Sequence, residues 1–220
     1  MCCGCCGSAA AAGTTGGLTK GRTVFICNMG KYLIAGLGNI GADYAGTRHN
    51  IGFDVLDSLA AGKDVRFSVE RLAEMVEIKW HGQILVCIKP TTYMNESGRA
   101  VKYWMDKEKI ALDHLLVVLD DLALPLSRLR LRPGGSDAGH NGLRSIQETL
   151  GTNAYPKLRF GIGNNFPRGR QVNFVLGRWG ADEMPVVREK IGKSVEIIES
   201  FVTIGIERTM SQYNNLEFEL

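Results

Sequence analysis

The sequence predicts one α/β domain, a mixed and mostly parallel twisted sheet flanked by helices on both faces. Three observations carry that prediction. Strand-like and helix-like segments alternate along the chain. Leu115 to Leu119 is a continuous apolar run, the pattern of a strand covered on both faces. A chain of 220 residues that is 45% hydrophobic has enough apolar surface for one sizeable core, and nothing in it suggests a second.

Lys31 to Ala35 reads as a short buried strand running into Gly36-Leu37-Gly38-Asn39-Ile40-Gly41. That G-x-G-x-x-G spacing cradles a dinucleotide pyrophosphate when a helix begins on the glycines. Here Ala42 to Asn50 has no helical apolar period and contains another glycine. The helix starts only near Asn50, its expected N-cap, and carries Ile51, Val55, Leu56 and Leu59 on one face as far as Ala61. Asp54 and Asp57 lie on that helix, and no second strand ends in an acid at the distance that holds a ribose. The nucleotide-cofactor reading is therefore set aside.

Val76, Ile78 and Trp80 alternate with Glu77 and Lys79, His81-Gly82 turns, and Ile84 to Ile88 returns, which predicts a hairpin. Pro90-Thr91-Thr92 ends it, and a helix is expected from about Ser97 to Met105. The strand Leu115 to Leu119 ends in Asp120-Asp121. Leu129 and Leu131 then oppose Arg128, Arg130 and Arg132, as in a strand with one wet basic face. A glycine loop, Pro133 to Gly139, feeds a helix with Leu143, Ile146 and Leu150 inward. Lys157 to Ile162 is the next strand. Met184 to Phe201 carries Val187, Ile191, Val195 and Ile198 at helical spacing, and a last helix is expected near Glu207 to Tyr213.

Net charge is only +3, but it is unevenly spread: nine basic residues and two acids lie between Arg128 and Arg178. Such a field suits a polyanion, and it also suits an ordinary solvated face. Four of the six cysteines fall in Met1 to Gly7. Their C-x-x-C spacings have no second pair or histidine nearby to complete a zinc site. Residues 1 to 28 are read as a disordered or artefactual leader, with Met29 as an alternative start and the domain spanning 29 to 220. Neither an export signal nor a run long enough to span a bilayer is present, which points to a cytoplasmic chain with no membrane partner.

Crevices of open α/β sheets form beyond the carboxyl ends of strands. Four polar segments stand at such places: Gly36 to Asn50, Thr91 to Asn95, Asp120-Asp121 and Gly139 to Gly142. His49 is the leading candidate for acid–base work, and Asp120 is the natural carboxylate to fix its tautomer. A helix-terminal histidine bonded to backbone, and a capping role for Asp120 and Asp121, are the plainer alternatives. Asn39, Asn95 and Asn141 equally fit turns. A metal site from His49, Asp120 and His140 ranks below metal-free base catalysis, because no local ligand spacing supports it. Serine chemistry lacks its G-x-S-x-G elbow.

Five segments in order, G-L-G-N-I-G-x-x-Y-x-x-T-R-H-N-I-G, K-P-T-T-Y-M-N-E-S-G, L-D-D-L, G-S-D-A-G-H-N-G-L-R-S-I and L-R-F-G-I-G, resemble the bacterial-type peptidyl-tRNA hydrolase family. The match runs from about Lys31 to the final helix. It implies cleavage of the ester joining a peptide to the 3′ end of tRNA, recycling tRNA from aborted translation, by a monomer without metal or nucleotide cofactor. By that resemblance His49 accepts the proton of water and Asp120 holds it in its basic form. Asn39 contacts the peptide and distinguishes a blocked from a free α-amine. Asn95 and Asn141 bind substrate and orient the water or oxyanion, Tyr44, Tyr93 and Met94 line the cleft, and His140 flanks it. Arg132 and Arg159 match cations used against tRNA phosphates. Ile40 stands where many relatives have proline, Ala123 where an acid is usual, and Asp137 and Ala138 where glycines are frequent. These departures bear on loop geometry and tRNA affinity. The rival readings are a non-enzymatic RNA-binding protein on the same scaffold, as in related plant organelle splicing factors, and a small-molecule esterase, which would not need the basic field.

Overall fold

The structure is a computed structural model that describes residues 30–219. The expected leader, 1 to 28, lies outside the described residues. Seven strands form one sheet in the order β2-β3-β4-β1-β5-β7-β6, where β1 is Lys31–Gly36, β2 Ser68–Glu70, β3 Ala73–Trp80, β4 Gln83–Pro90, β5 Leu115–Asp121, β6 Leu129–Arg132 and β7 Lys157–Gly161. β4, β1, β5 and β7 run parallel, while β3 and β6 pair antiparallel to β4 and β7. The helices are α1 (Ile51–Ala61), α2 (Ser97–Glu108), α3 (Asn141–Leu150), α4 (Gln171–Val175), α5 (Met184–Ile204) and α6 (Ile206–Tyr213).

Side chains alternate across the pleat and divide the core into two layers. Ile34, Leu116 and Val118 pack with Val55, Leu59, Ile198 and Phe201 of α1 and α5. Leu33, Ala35 and Val117 pack with Val101, Trp104, Leu143 and Ile146 of α2 and α3. Among the described residues no helix is long and apolar enough to cross a membrane.

The glycine signature is explained by packing. A Cβ on Gly36 would lie 2.3 Å from the Gly52 carbonyl oxygen, and one on Gly38 would lie 2.8 Å from the Phe53 ring. Gly41 takes φ 118°, which side chains disfavour. The glycines let α1 approach the end of β1 backbone to backbone. Gly52 completes the contact, since a Cβ there would meet Leu37 N at 2.4 Å and Val118 O at 2.6 Å. Backbone cannot step aside as a side chain can, so Gly52→Ala is expected to cost about 3 kcal/mol. A urea melt of the variant checks this, and a shift under about 0.5 kcal/mol would show that the strand ends can part.

Two expectations change. The inward face of α5 is rotated from the one expected: Lys190 and Ser194 are fully buried, while Ile191 and Val195 are half-buried. Lys190 Nζ donates to the Leu126 and Gly161 carbonyls at 2.6 and 2.7 Å, which is how a buried ammonium is tolerated, and burial pushes its pKa down to about 7. The second change concerns Asn50. It stands at the start of α1, yet its side chain makes no cap; Oδ1 accepts from the Asn39 N–H and Nδ2 donates to the Asn39 carbonyl, both at 2.9 Å.

Candidate active site

The parallel strands deliver their carboxyl ends to one edge of the sheet, and the polar segments meet there. Asp120, 3% exposed, is the penultimate residue of β5. His49 sits in a single turn of 3-10 helix, Arg48–Asn50, just before α1. Its neighbours lock that turn in place. Arg48 donates to the Arg178 carbonyl, pairs with Glu183, and stacks over Phe174 and Trp179. Asn50 clips the turn to Asn39.

His49 Nδ1 lies 2.9 Å from Asp120 Oδ1, and His140 Nε2 lies 3.1 Å from the same oxygen. Proton positions follow from the partners. His140 is the N-cap of α3, and its Nδ1 accepts from the Gly142 and Leu143 N–H groups at 3.1 and 3.4 Å. That nitrogen therefore keeps its lone pair, and Nε2–H donates to Asp120. Asp120, being ionised, can only accept, so His49 Nδ1–H also donates to it. His49 Nε2 is left as the basic nitrogen. Burial disfavours the charged form of Asp120, but electrostatic attraction and hydrogen bonding from the His140 ring, and then from the His49 ring, outweigh this and hold the carboxyl well below the usual carboxylate range.

His49, Asp120 and His140 bring potential ligand atoms within 4.8 Å of one another. The donor set fits a metal poorly, because ligation through His140 Nε2 would require that nitrogen's lone pair and move the proton to Nδ1, against two helix N–H groups.

A cleft opens at the pair, lined by His49, Asp120, His140 and Asn141 together with Leu122, Gln171, Val172 and Val175. The α4 wall was missed in the sequence, since five residues carry too little period to read as a helix. Asn39 lies outside the lining of this cleft, bonded to Asn50 and Met94. Its Oδ1 accepts from the Met94 N–H at 3.2 Å, so the amide N–H groups are what it has left for a ligand. Asn95 is exposed in the 3-10 turn Met94–Glu96, Tyr93 is 72% exposed, and Tyr44 is half-buried. Met94, expected to line the cleft, is instead buried beneath α3, where a Cβ on Gly142 would come within 2.7 Å of its sulfur.

The basic field is smaller than its sequence count. Lys157 is 1% exposed, with Nζ donating to the Asn153 and Tyr155 carbonyls, and Arg128 pairs with Glu217. Arg159, expected as a phosphate contact, is 9% exposed and turned inward onto Asp121. Arg130, Arg132, Arg144, Arg168, Arg170 and Arg178 remain exposed.

Fold and site together define a class: an α/β protein with a carboxylate-bonded histidine at the carboxyl edge of its sheet, an arrangement able to activate water for hydrolysis. The chain belongs to the peptidyl-tRNA hydrolase family, whose model matches residues 33–219. It is 53% identical over 184 residues to the peptidyl-tRNA hydrolase of Phocaeicola vulgatus, covering 84% of this chain and 98% of that one. Against the enzyme of Parabacteroides distasonis it is 51% identical over 185 residues, covering 84% and 99%. The crystal structure of peptidyl-tRNA hydrolase from Acinetobacter baumannii superposes with a TM-score of 0.80 at 31% identity, over 84% of this chain and 95% of that one.

Proposed function

We propose that this chain hydrolyses the ester between peptide and tRNA with His49 as general base. The observation that carries the reading is the His49–Asp120 pair, with Nδ1 committed to the carboxylate and Nε2 free to take a proton from water. As Nε2 takes that proton the ring becomes cationic, and the buried carboxylate 2.9 Å away stabilises it. The water attacks the ester carbonyl, the tetrahedral intermediate collapses, and the imidazolium returns the proton to the departing 3′ ribose oxygen. Asn141 and Asn95 are the amides suited to the developing oxyanion, and the free N–H groups of Asn39 suit a carbonyl of the blocked amino terminus. Tyr44 and Tyr93 offer aromatic surface to the peptide or terminal base. All the residues proposed for the site belong to one chain, which favours action as a monomer, and the substrate belongs to the compartment of translation, the cytoplasm.

The test is release of free tRNA from N-acetyl-aminoacyl-tRNA, with unblocked aminoacyl-tRNA as control and chelator throughout. Cleavage of the blocked substrate alone supports the reading. Tight tRNA binding without cleavage by the purified chain moves it to an RNA-binding protein on the same scaffold.

Arg132, exposed on β6 beside Arg130, is the cation proposed to meet tRNA phosphate. Arg132→Ala is expected to raise KM for full-length substrate several-fold, to lower the salt slope of binding by roughly 1, and to spare a short 3′-terminal fragment. Equal losses on both substrates would remove Arg132 from phosphate contact.

A further inference from the structure

We propose that Arg159 is a positioning residue, a brace that holds the glycine loop and with it His140 and Asn141 over Asp120; the inference rests on the hydrolase reading above. Arg159 stands on β7 between the catalytic cleft and the basic groove of Arg130 and Arg132, and lines both. Its guanidinium is used inward in two directions. Nη1 donates to Asp121 Oδ2 at 2.9 Å, and Nη2 donates to the Ser136 carbonyl at 2.5 Å. Asp121 is itself fixed, with Oδ1 accepting from the Ala123 N–H at 2.8 Å.

The loop needs an outside anchor. Gly135 and Gly139 adopt φ of 125° and 79°, and Ala138 is held at 50°, a left-handed conformation that costs a side-chain-bearing residue about 1 kcal/mol or more. The loop's own bonds, from the Gly139 and His140 N–H groups to Asp137, fix only its local shape. Among the described residues, the bond from Arg159 to Ser136 is the one hydrogen bond that ties residues 134–139 to the sheet. A planar guanidinium can grip a carboxylate and a carbonyl in fixed directions at once; an ammonium keeps the charge but not the fork.

Arg159→Lys separates bracing from phosphate contact, because a phosphate would accept either cation. With N-acetyl-aminoacyl-tRNA and with N-acetyl-aminoacyl-adenosine the variant is expected to lose about tenfold or more in kcat on both, with KM and the salt slope unchanged. Amide hydrogen exchange of residues 134–139 should rise, and should not rise in Arg132→Ala. Normal kcat, or a loss confined to the tRNA substrate through KM, overturns the proposal. Should Arg159→Lys fail to fold, Asp121→Asn weakens the same brace from its other end, and unchanged loop exchange there overturns the proposal. Wild-type cleavage, measured alongside, tests the hydrolase reading on its own: a wild-type chain that binds without cleaving defeats that reading whatever Arg159 does.

Discussion

His49→Ala lowers kcat on N-acetyl-aminoacyl-tRNA by about 10³-fold, within the range expected when a general base is removed, and leaves KM within about twofold. The asymmetry follows from the site. In the proposed reading, binding rests on the exposed arginines, Asn39 and the cleft residues other than His49, none of which needs the imidazole. Removing the ring also leaves Asp120 with a partner, since His140 still donates to Oδ1 at 3.1 Å. The fold should therefore lose only about 2 kcal/mol, the net worth of one hydrogen bond to a charged group. A single-turnover assay with a parallel thermal melt separates the two effects. A near-normal kcat in a folded variant would falsify the assignment of His49 as base.

Asp120→Asn lowers kcat by about 10²-fold or more, and the reason differs from the usual loss of tautomer. Both histidines donate to the same oxygen, Oδ1. An asparagine oxygen in that place still accepts both bonds and keeps Nε2 of His49 free. What disappears is the negative charge that stabilises the imidazolium as it forms, worth a few kcal/mol at the effective dielectric of a protein site. Asp120→Ala removes charge and acceptor together, strands two buried donors, and should cost more in both rate and stability. If Asp120→Asn keeps a near-normal rate while Asp120→Ala loses it, tautomer control rather than charge dominates.

The same carboxylate predicts a stability profile. Because the folded state lowers its pKa, ionised Asp120 contributes stability that is complete above the unfolded value near 4 and is lost as the pH falls into strong acid. Asp120→Asn should remove that component from the acid limb of a stability-versus-pH curve. It also follows that no acid limb of the rate between pH 5 and 8 belongs to Asp120.

Much of this was legible in the sequence where the signal is local. The apolar run of β5 and the period of α1 mark their elements, because one buried strand and one amphipathic helix each impose a short-range pattern. The failure of the G-x-G-x-x-G context was readable for the same reason: no helix begins on those glycines. β2 and α4, three and five residues long, fell below what periodicity can resolve.

The sequence by itself therefore determined the α/β class, the alternation of elements, the polar segments at strand ends and the candidates His49 and Asp120. Only the tertiary structure decided which groups are spent. It turned Arg159 and Lys157 inward, buried Met94, made Asn50 a clip rather than a cap, and set the tautomer of His140 through two backbone N–H groups. The physical reason is that residue type and local period fix what a side chain can offer, whereas the availability of a charge or lone pair depends on partners brought close from distant parts of the chain.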